Sequence, residues 1–216
     1  MEIVFNLAIS LPGFLIGIVF HEWAHAWAAM KFGDDTAKNA GRLSFNPVVH
    51  LDPVGTVIIP IVFIVLGMGM FGYAKPVPVN QTRFKNYKQG MFWVAFAGPI
   101  ANLILMVLFC FLTAAGALYI PQSFAFKTVA LQMMNFAILI NVVLALFNLI
   151  PWPPLDGSQM VKVFMDYNTA RKYENLERFT LILFIFLWWT HAFRYIMRPA
   201  AGFANYILNS FIYALG

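Results

Sequence analysis

Charged residues are absent from long stretches of this chain, and those gaps bound every fold it can adopt. Residues 3–20, 91–126, 128–155 and 179–190 contain no Asp, Glu, Lys or Arg. A helix that crosses a bilayer needs roughly 20 predominantly apolar residues. In lipid the backbone must satisfy its own polar groups, which favours helices. Only 11% of the 216 residues are charged and 61% are hydrophobic, whereas soluble domains carry about 25% charged residues. The mean hydropathy is +0.74. The longest polar stretches, 31–53, 72–90 and 156–178, leave no aqueous domain of useful size. The pattern predicts an all-α integral membrane protein, a polytopic helix bundle of about five to six membrane segments. It reads as a single membrane-embedded unit over 1–216, with a core over 3–160 and C-terminal helices over 177–216.

The net charge of +5 does not point to nucleic acid, because basic residues beside membrane helices set orientation. Cys110 is the single cysteine, which excludes an intramolecular disulfide and a cysteine-based zinc site. Glu2 stands where a signal peptide has basic residues, and the first apolar run continues without a small-residue cleavage site, so it reads as a retained helix.

Along the chain, 3–31 reads as one helix ending near Gly33-Asp34-Asp35. A polar connection over 34–53 is punctuated by Asn46-Pro47 and Asp52-Pro53. A shorter apolar block, 54–71, is interrupted by Pro60 and by Gly67-Met68-Gly69. Pro76 and Pro78 exclude a helix over 73–79, where a small β or extended element is expected. Helices follow over 91–118 and 127–150, the second stopped by Pro151, Pro153 and Pro154. An amphipathic helix over 157–168 and apolar blocks over 179–197 and 199–214 complete the chain.

The chemistry concentrates in His21-Glu22-Trp23-Ala24-His25, an H-E-x-x-H pattern on a helix. Residues i and i+4 share a helical face, so both imidazoles can reach one tetrahedral metal. Glu22, about 100° around the helix, is placed as a general base. Zinc lowers the pKa of its water to about 7. In a soluble helix the pattern arises by chance, but here it interrupts a membrane helix, where ionisable residues are costly and functional by default. A catalytic zinc takes three protein ligands and an open fourth position. His50 and His191 are the other histidines; Asp156, after the proline-broken turn Pro151-Trp152-Pro153-Pro154-Leu155, is the better third ligand. Taken alone, Asp156 serves equally well as a helix N-cap; beside an unfilled two-histidine site the ligand reading is preferred. His50 is read as a satisfied loop histidine, with metal ligation or proton transfer as alternatives, and His191 as interfacial beside Arg194.

H-E-x-x-H, then Ala97-Gly98-Pro99-Ile100-Ala101-Asn102, then Asn148 to Gly157 in the pattern N-x-x-P-x-x-P-x-D-G, together resemble the site-2 protease family of intramembrane zinc metalloproteases. The resemblance covers residues 15–160 and looks like the minimal form without a PDZ or CBS domain. It implies one zinc per chain, held by His21, His25 and Asp156, with Glu22 as catalytic base and Asn148 as a substrate-binding residue. A helix–helix contact is the structural alternative for Asn148. Asn102 and Gly98 are read as structural, allowing close helix approach. The implied activity is hydrolysis of peptide bonds in or near transmembrane segments, with single-span membrane proteins as substrates and regulatory membrane partners. The 73–79 segment then offers an edge to an unwound substrate, or its prolines only stiffen a loop. The alternative function is a non-proteolytic zinc transporter or sensor.

The metal also constrains topology. If 54–71 crossed fully, His21 and His25 would face the opposite side of a ~30 Å core from Asp156. If it only dips in and returns, the ligands share a side. That side collects Lys31, Lys38, Arg42, Lys75, Arg83, Lys85, Lys88, Lys162, Arg171, Lys172 and Arg178, leaving Lys127, Arg194 and Arg198 on the other. The positive-inside rule then predicts a multi-pass cell-membrane protein with its active site toward the cytoplasm.

Overall fold

The computed structural model describes residues 2–65, 72–190 and 192–216. The Gly67–Gly69 break, His191 and the Arg194 side chain lie outside the described residues. Among those described, helices α1 (Glu2–Lys31), α4 (Tyr87–Tyr119) and α5 (Lys127–Asn148) pack on one another and carry the fold. Within them Val4–Lys31, Tyr87–Tyr119 and Lys127–Asn148 are long and apolar enough to cross a membrane. The remaining helices are α2 (Thr36–Asn39), α3 (Ile59–Val65), α6 (Asp156–Lys162), α7 (Tyr167–Glu174), α8 (Thr180–Trp189) and α9 (Ala192–Leu215).

Lipid tails are as apolar as leucine, so helix association inside a bilayer relies on close packing of small residues rather than on exclusion of water. Gly13 and Gly17 of α1 lie directly on α5. A Cβ at Gly13 would sit 2.8 Å from the Ala137 Cα, and one at Gly17 2.9 Å from the Leu144 side chain. Phe14, Ile18 and Val19 interlock with Ile140 beside that contact. Met106, Cys110, Ile138, Val142 and Ala204 form a second core joining α4, α5 and α9. Cys110 is a fully buried packing residue there. The buried Lys127 ammonium donates to Ala117 O at 2.9 Å and Ile120 O at 2.7 Å, satisfying carbonyls at the end of α4 that have no intrahelical partner.

Element ends follow local chemistry. Helix α1 stops at a turn where Gly33 has φ 107°, a conformation that favours glycine. Helix α4 starts at Tyr87, earlier than expected, because the Asn86 side chain accepts from Gln89 N at 3.1 Å. The amphipathic stretch after Asp156 divides into α6 and α7, the latter capped by Asp166 accepting from Thr169 N at 3.1 Å. The C-terminal break falls before α9 rather than at Arg198, between the expected blocks 179–197 and 199–214; Arg198 and Pro199 lie inside that helix. Thr190 ends the preceding run by donating its hydroxyl back to Phe186 O at 2.7 Å.

The apolar 54–71 block begins as a π-helical turn over Pro53–Ile58 and continues into α3. Asp52 caps the turn, accepting from Val54 N at 3.0 Å and Gly55 N at 2.7 Å. The chain is back beside this start at Tyr73, whose N–H donates to Gly55 O at 3.0 Å and whose carbonyl accepts from Thr56 Oγ1 at 2.9 Å. From there 72–80 runs without helix or ladder pairing, and no strand forms among the described residues. The β form of the expected element is therefore not found there. Pro76 and Pro78 bring no N–H to a ladder, and the neighbouring polar groups bond to side chains and to single loop carbonyls.

Two glycine substitutions test the helix contact. Gly13→Val forces α1 away from the α5 backbone and is expected to cost about 1–3 kcal/mol or more. Gly202→Ala, in a helix with nothing within 4 Å, is expected to be neutral or to stabilise by up to about 1 kcal/mol. Thermal unfolding of the two purified variants in detergent checks both, and equal melting temperatures would refute the packing account.

Candidate metal centre

One turn of α1 carries the two histidines to the interior. His21, Glu22 and His25 are all buried, the rings T-shaped with centroids 4.6 Å apart. Helix α4 crosses this turn and orients both rings. His25 Nδ1 donates to the Val94 carbonyl at 2.7 Å, and an N–H must lie there because a carbonyl only accepts. His21 Nδ1 lies 2.6 Å from Asn102 Oδ1. The Asn102 amide is itself fixed, since its Nδ2 donates to Gly17 O at 3.0 Å and to Asn141 Oδ1 at 2.9 Å. Its oxygen therefore faces His21, and His21 Nδ1 also carries the proton. Both neutral imidazoles are left with an Nε2 lone pair.

Those lone pairs converge. His21 Nε2 and His25 Nε2 are 3.0 Å apart, and Asp156 Oδ2 lies 3.1 Å from the first and 3.3 Å from the second. Asp156 opens α6, but its carboxylate caps no N–H of that helix. It turns instead toward the imidazoles, and Oδ2 is buried without a hydrogen-bond partner. Two glycines make the convergence possible. A Cβ on Gly98 would stand 2.5 Å from His25 Nε2 and 2.6 Å from His21 Nε2. One on Gly157 would strike Leu149 O at the end of α5, so the proline-broken turn can fold Asp156 back.

Three electron-pair donors facing one another without a proton between them repel. A cation removes that cost, and the set suits zinc. Separations of 3.0 to 3.3 Å are close to the edge, about 3.3 Å, of a tetrahedron with bonds of about 2.05 Å. Among the described residues this is the one group of His, Cys, Asp or Glu with that proximity.

The donors open into a cavity of about 830 Å³, which Glu22, Tyr73, Val77 and Asn148 also line. The Glu22 carboxylate accepts from Val77 N at 2.9 Å. Asn148 reaches the cavity while donating to Leu144 O at 2.9 Å, a bond back to its own helix. His50 and Asp52 are elsewhere. His50 is fully buried under the loop, its Nε2 donating to Ser44 O at 2.8 Å, and Asp52 is the cap already described. Sequence reasoning left Asn102 as a packing residue and did not single out Asn141. The signal available for Asn102 was an amide in an apolar helix one turn past Gly98.

The sequence profile of Peptidase family M50 matches residues 111–189. The Bacillus subtilis protein YwhC, whose name provisionally marks it a zinc metalloprotease, is 40% identical over 186 residues, 86% of this chain and 82% of its own. The Mycolicibacterium smegmatis protein Rip2, named in the same way, is 30% identical over 214 residues, 96% of this chain and 78% of its own. No solved structure matches. With the donor group in place, these likenesses are decisive: the chain belongs to peptidase family M50, the site-2 proteases.

Proposed function

We propose that His21, His25 and Asp156 hold the zinc of the intramembrane metalloprotease that this chain is, and that Glu22 is its general base. The observation that carries this reading is the convergence of two tautomer-locked Nε2 atoms and an unpartnered carboxylate oxygen within 3.0 to 3.3 Å. Zinc held there supplies a Lewis acid that polarises a carbonyl and lowers the pKa of a water in its open position. Glu22, on the same helical turn and lining the same cavity, takes a proton from the attacking water and returns it to the leaving amine. Asn148, at the cavity wall, hydrogen-bonds substrate backbone through the part of its amide not engaged with Leu144. The transporter or sensor reading has no observation in its favour.

The substrates are single-span membrane proteins whose helix unwinds to expose a peptide bond, and membrane partners regulate their entry. The 72–80 segment borders the cavity. Residues 73, 75 and 77 turn their backbone groups toward the protein, which leaves the rim of 74, 76 and 78 for a substrate strand. With Pro76 and Pro78 on that rim, it offers carbonyls and few N–H groups. The protein is multi-pass in the cell membrane with about five to six segments, and 54–71 is re-entrant. The return of the chain from Gly55 to Tyr73 supports the re-entrant segment. The basic residues gathered at the donor end support a cytoplasmic orientation.

Purified in detergent, Glu22→Gln is expected to keep its zinc while cleavage of a reconstituted single-span substrate falls by about 10²–10⁴-fold. Cleavage at the wild-type rate would remove Glu22 from the chemistry. Metal analysis separates ligands from supports: Asp156→Ala should lose stoichiometric zinc, whereas Asn102→Leu, which frees His21 Nδ1 and also leaves Gly17 O and Asn141 Oδ1 without their donor, should weaken zinc binding by roughly 10–100-fold. Full zinc retention in Asp156→Ala would contradict the ligand set.

A further inference from the structure

We propose that the backbone N–H of Val77 is the donor that positions the Glu22 carboxylate, and that 73–80 is pinned at several points to hold it there; this rests on Glu22 being the base. Glu22 Oε2 accepts from Val77 N at 2.9 Å, while Oε1 takes no hydrogen bond from the described residues. One oxygen is thus held and the other is left for a proton. A glutamate side chain has three rotatable bonds, and a base must stand within hydrogen-bond reach of the proton it takes. A bond from N–H to a carboxylate is roughly twice as strong as one between neutral groups, so a single well-placed donor can select one rotamer.

The surroundings of Val77 are arranged around that donor. Pro76 and Pro78 lack an N–H, so Val77 supplies the sole amide hydrogen of the three residues. The Val77 side chain is buried against Ala26 of α1 and Ala37 of α2. Upstream, Lys75 N donates to His50 O at 2.9 Å, and the Arg42 guanidinium donates to the Lys75 carbonyl. Tyr73 is tied to Gly55 and Thr56. Downstream, Asn80 N donates to Asp34 Oδ2 at 2.6 Å, and Asp34 Oδ1 is held by Thr36 N at 3.0 Å and by the Thr36 hydroxyl. Burial disfavours charge on Asp34, but the bonds from Thr36 and Asn80, with Arg83 near, outweigh it and hold its carboxyl below the usual range. Arg42, His50 and Asp34, none of which touches the donor group, thereby acquire one common role as anchors of the segment that orients the base.

The test replaces the Val77 residue of the full-length enzyme with its α-hydroxy acid, which exchanges N–H for an ester oxygen and keeps the side chain. The expected result is a fall in kcat of roughly 10–100-fold, with KM, zinc content and melting temperature unchanged. Because the ester could unfold the segment, Asp34→Asn is run beside it. An amide there turns a donor toward Asn80 N–H, and kcat should fall by a smaller factor with the same unchanged KM and zinc. Wild-type kcat in a zinc-loaded ester enzyme overturns the proposal, as does a change confined to KM. If the ester enzyme does not fold, wild-type kcat in Asp34→Asn overturns it. Glu22→Gln tells the two ideas apart: if that variant still cleaves, the base assignment itself fails, whereas an inactive Glu22→Gln beside a fully active ester enzyme removes only the positioning role.

Discussion

Much of the structure depends on forcing three electron-pair donors into one small volume at depth in an apolar bundle. Two imidazole lone pairs and a carboxylate oxygen, each about 3 Å from the others, repel strongly where the surroundings screen poorly. The fold meets that cost in steps. Carbonyl and amide oxygens of α4 take the Nδ1 protons, so neither ring can rotate or change tautomer to relieve the repulsion. Gly98 removes the side chain that would occupy the space. Asn102 is anchored in turn by Gly17 O and Asn141, tying the ring orientation to the contact between α1, α4 and α5. Zinc is then the component that turns a destabilising cluster into a stable one, and its loss is expected to be felt through the bundle.

Some of this was readable before any fold was known. The i, i+4 spacing of His21 and His25 requires only that the helix begun by the uncharged run over 3–20 continue to 31, as the mostly apolar residues that follow favour. Asp156 was ambiguous for a physical reason: an Asp followed by Gly at the start of a helix suits a cap as well as a ligand. Carboxylate direction decides, and it depends on how the turn after Asn148 folds back onto Leu149 through Gly157. The outer partners were not readable. Val94 contributes a backbone carbonyl, which leaves no trace in residue identity, and Asn102 meets His21 across 81 residues. One boundary failed where a charge parted two apolar blocks, at Arg198 between 179–197 and 199–214. Arg198 and Pro199 both sit inside α9, so neither ends the helix.

The irregular segment between α3 and α4 is where pattern reasoning was weakest and function is densest. Alternating prolines argue against a helix, but they cannot say which neighbours receive the remaining polar groups. In the fold four of these residues have a specific destination: the start of the apolar block for Tyr73, the 42–50 loop for Lys75, Glu22 for Val77 and Asp34 for Asn80. Phe45 supports the same loop by stacking 4.8 Å from Trp23 and lying 4.9 Å from Phe20, which fixes it against the turn of α1 that carries the histidines. An irregular backbone beside a membrane helix is tolerated when it is buried or lines a cavity, and 72–80 meets that condition.

The metal and the path of the chain then limit one another. His21 lies ten residues before the end of α1, about 15 Å along the axis, so the donor group lies well inside that helix rather than at its end. On the proposed re-entrant path, Asp156 reaches that point from the end of α5 because the chain between α1 and α4 makes no net crossing. The bonds between Tyr73 and the Gly55–Thr56 turn bring the apolar block back to its own starting point. A full crossing at 54–71 would separate those residues by the thickness of the core, about 30 Å, and would separate Asp156 from the histidines by the same distance. The hydrogen bonds at Tyr73 and the convergence at Asp156 both accord with the proposed re-entrant path.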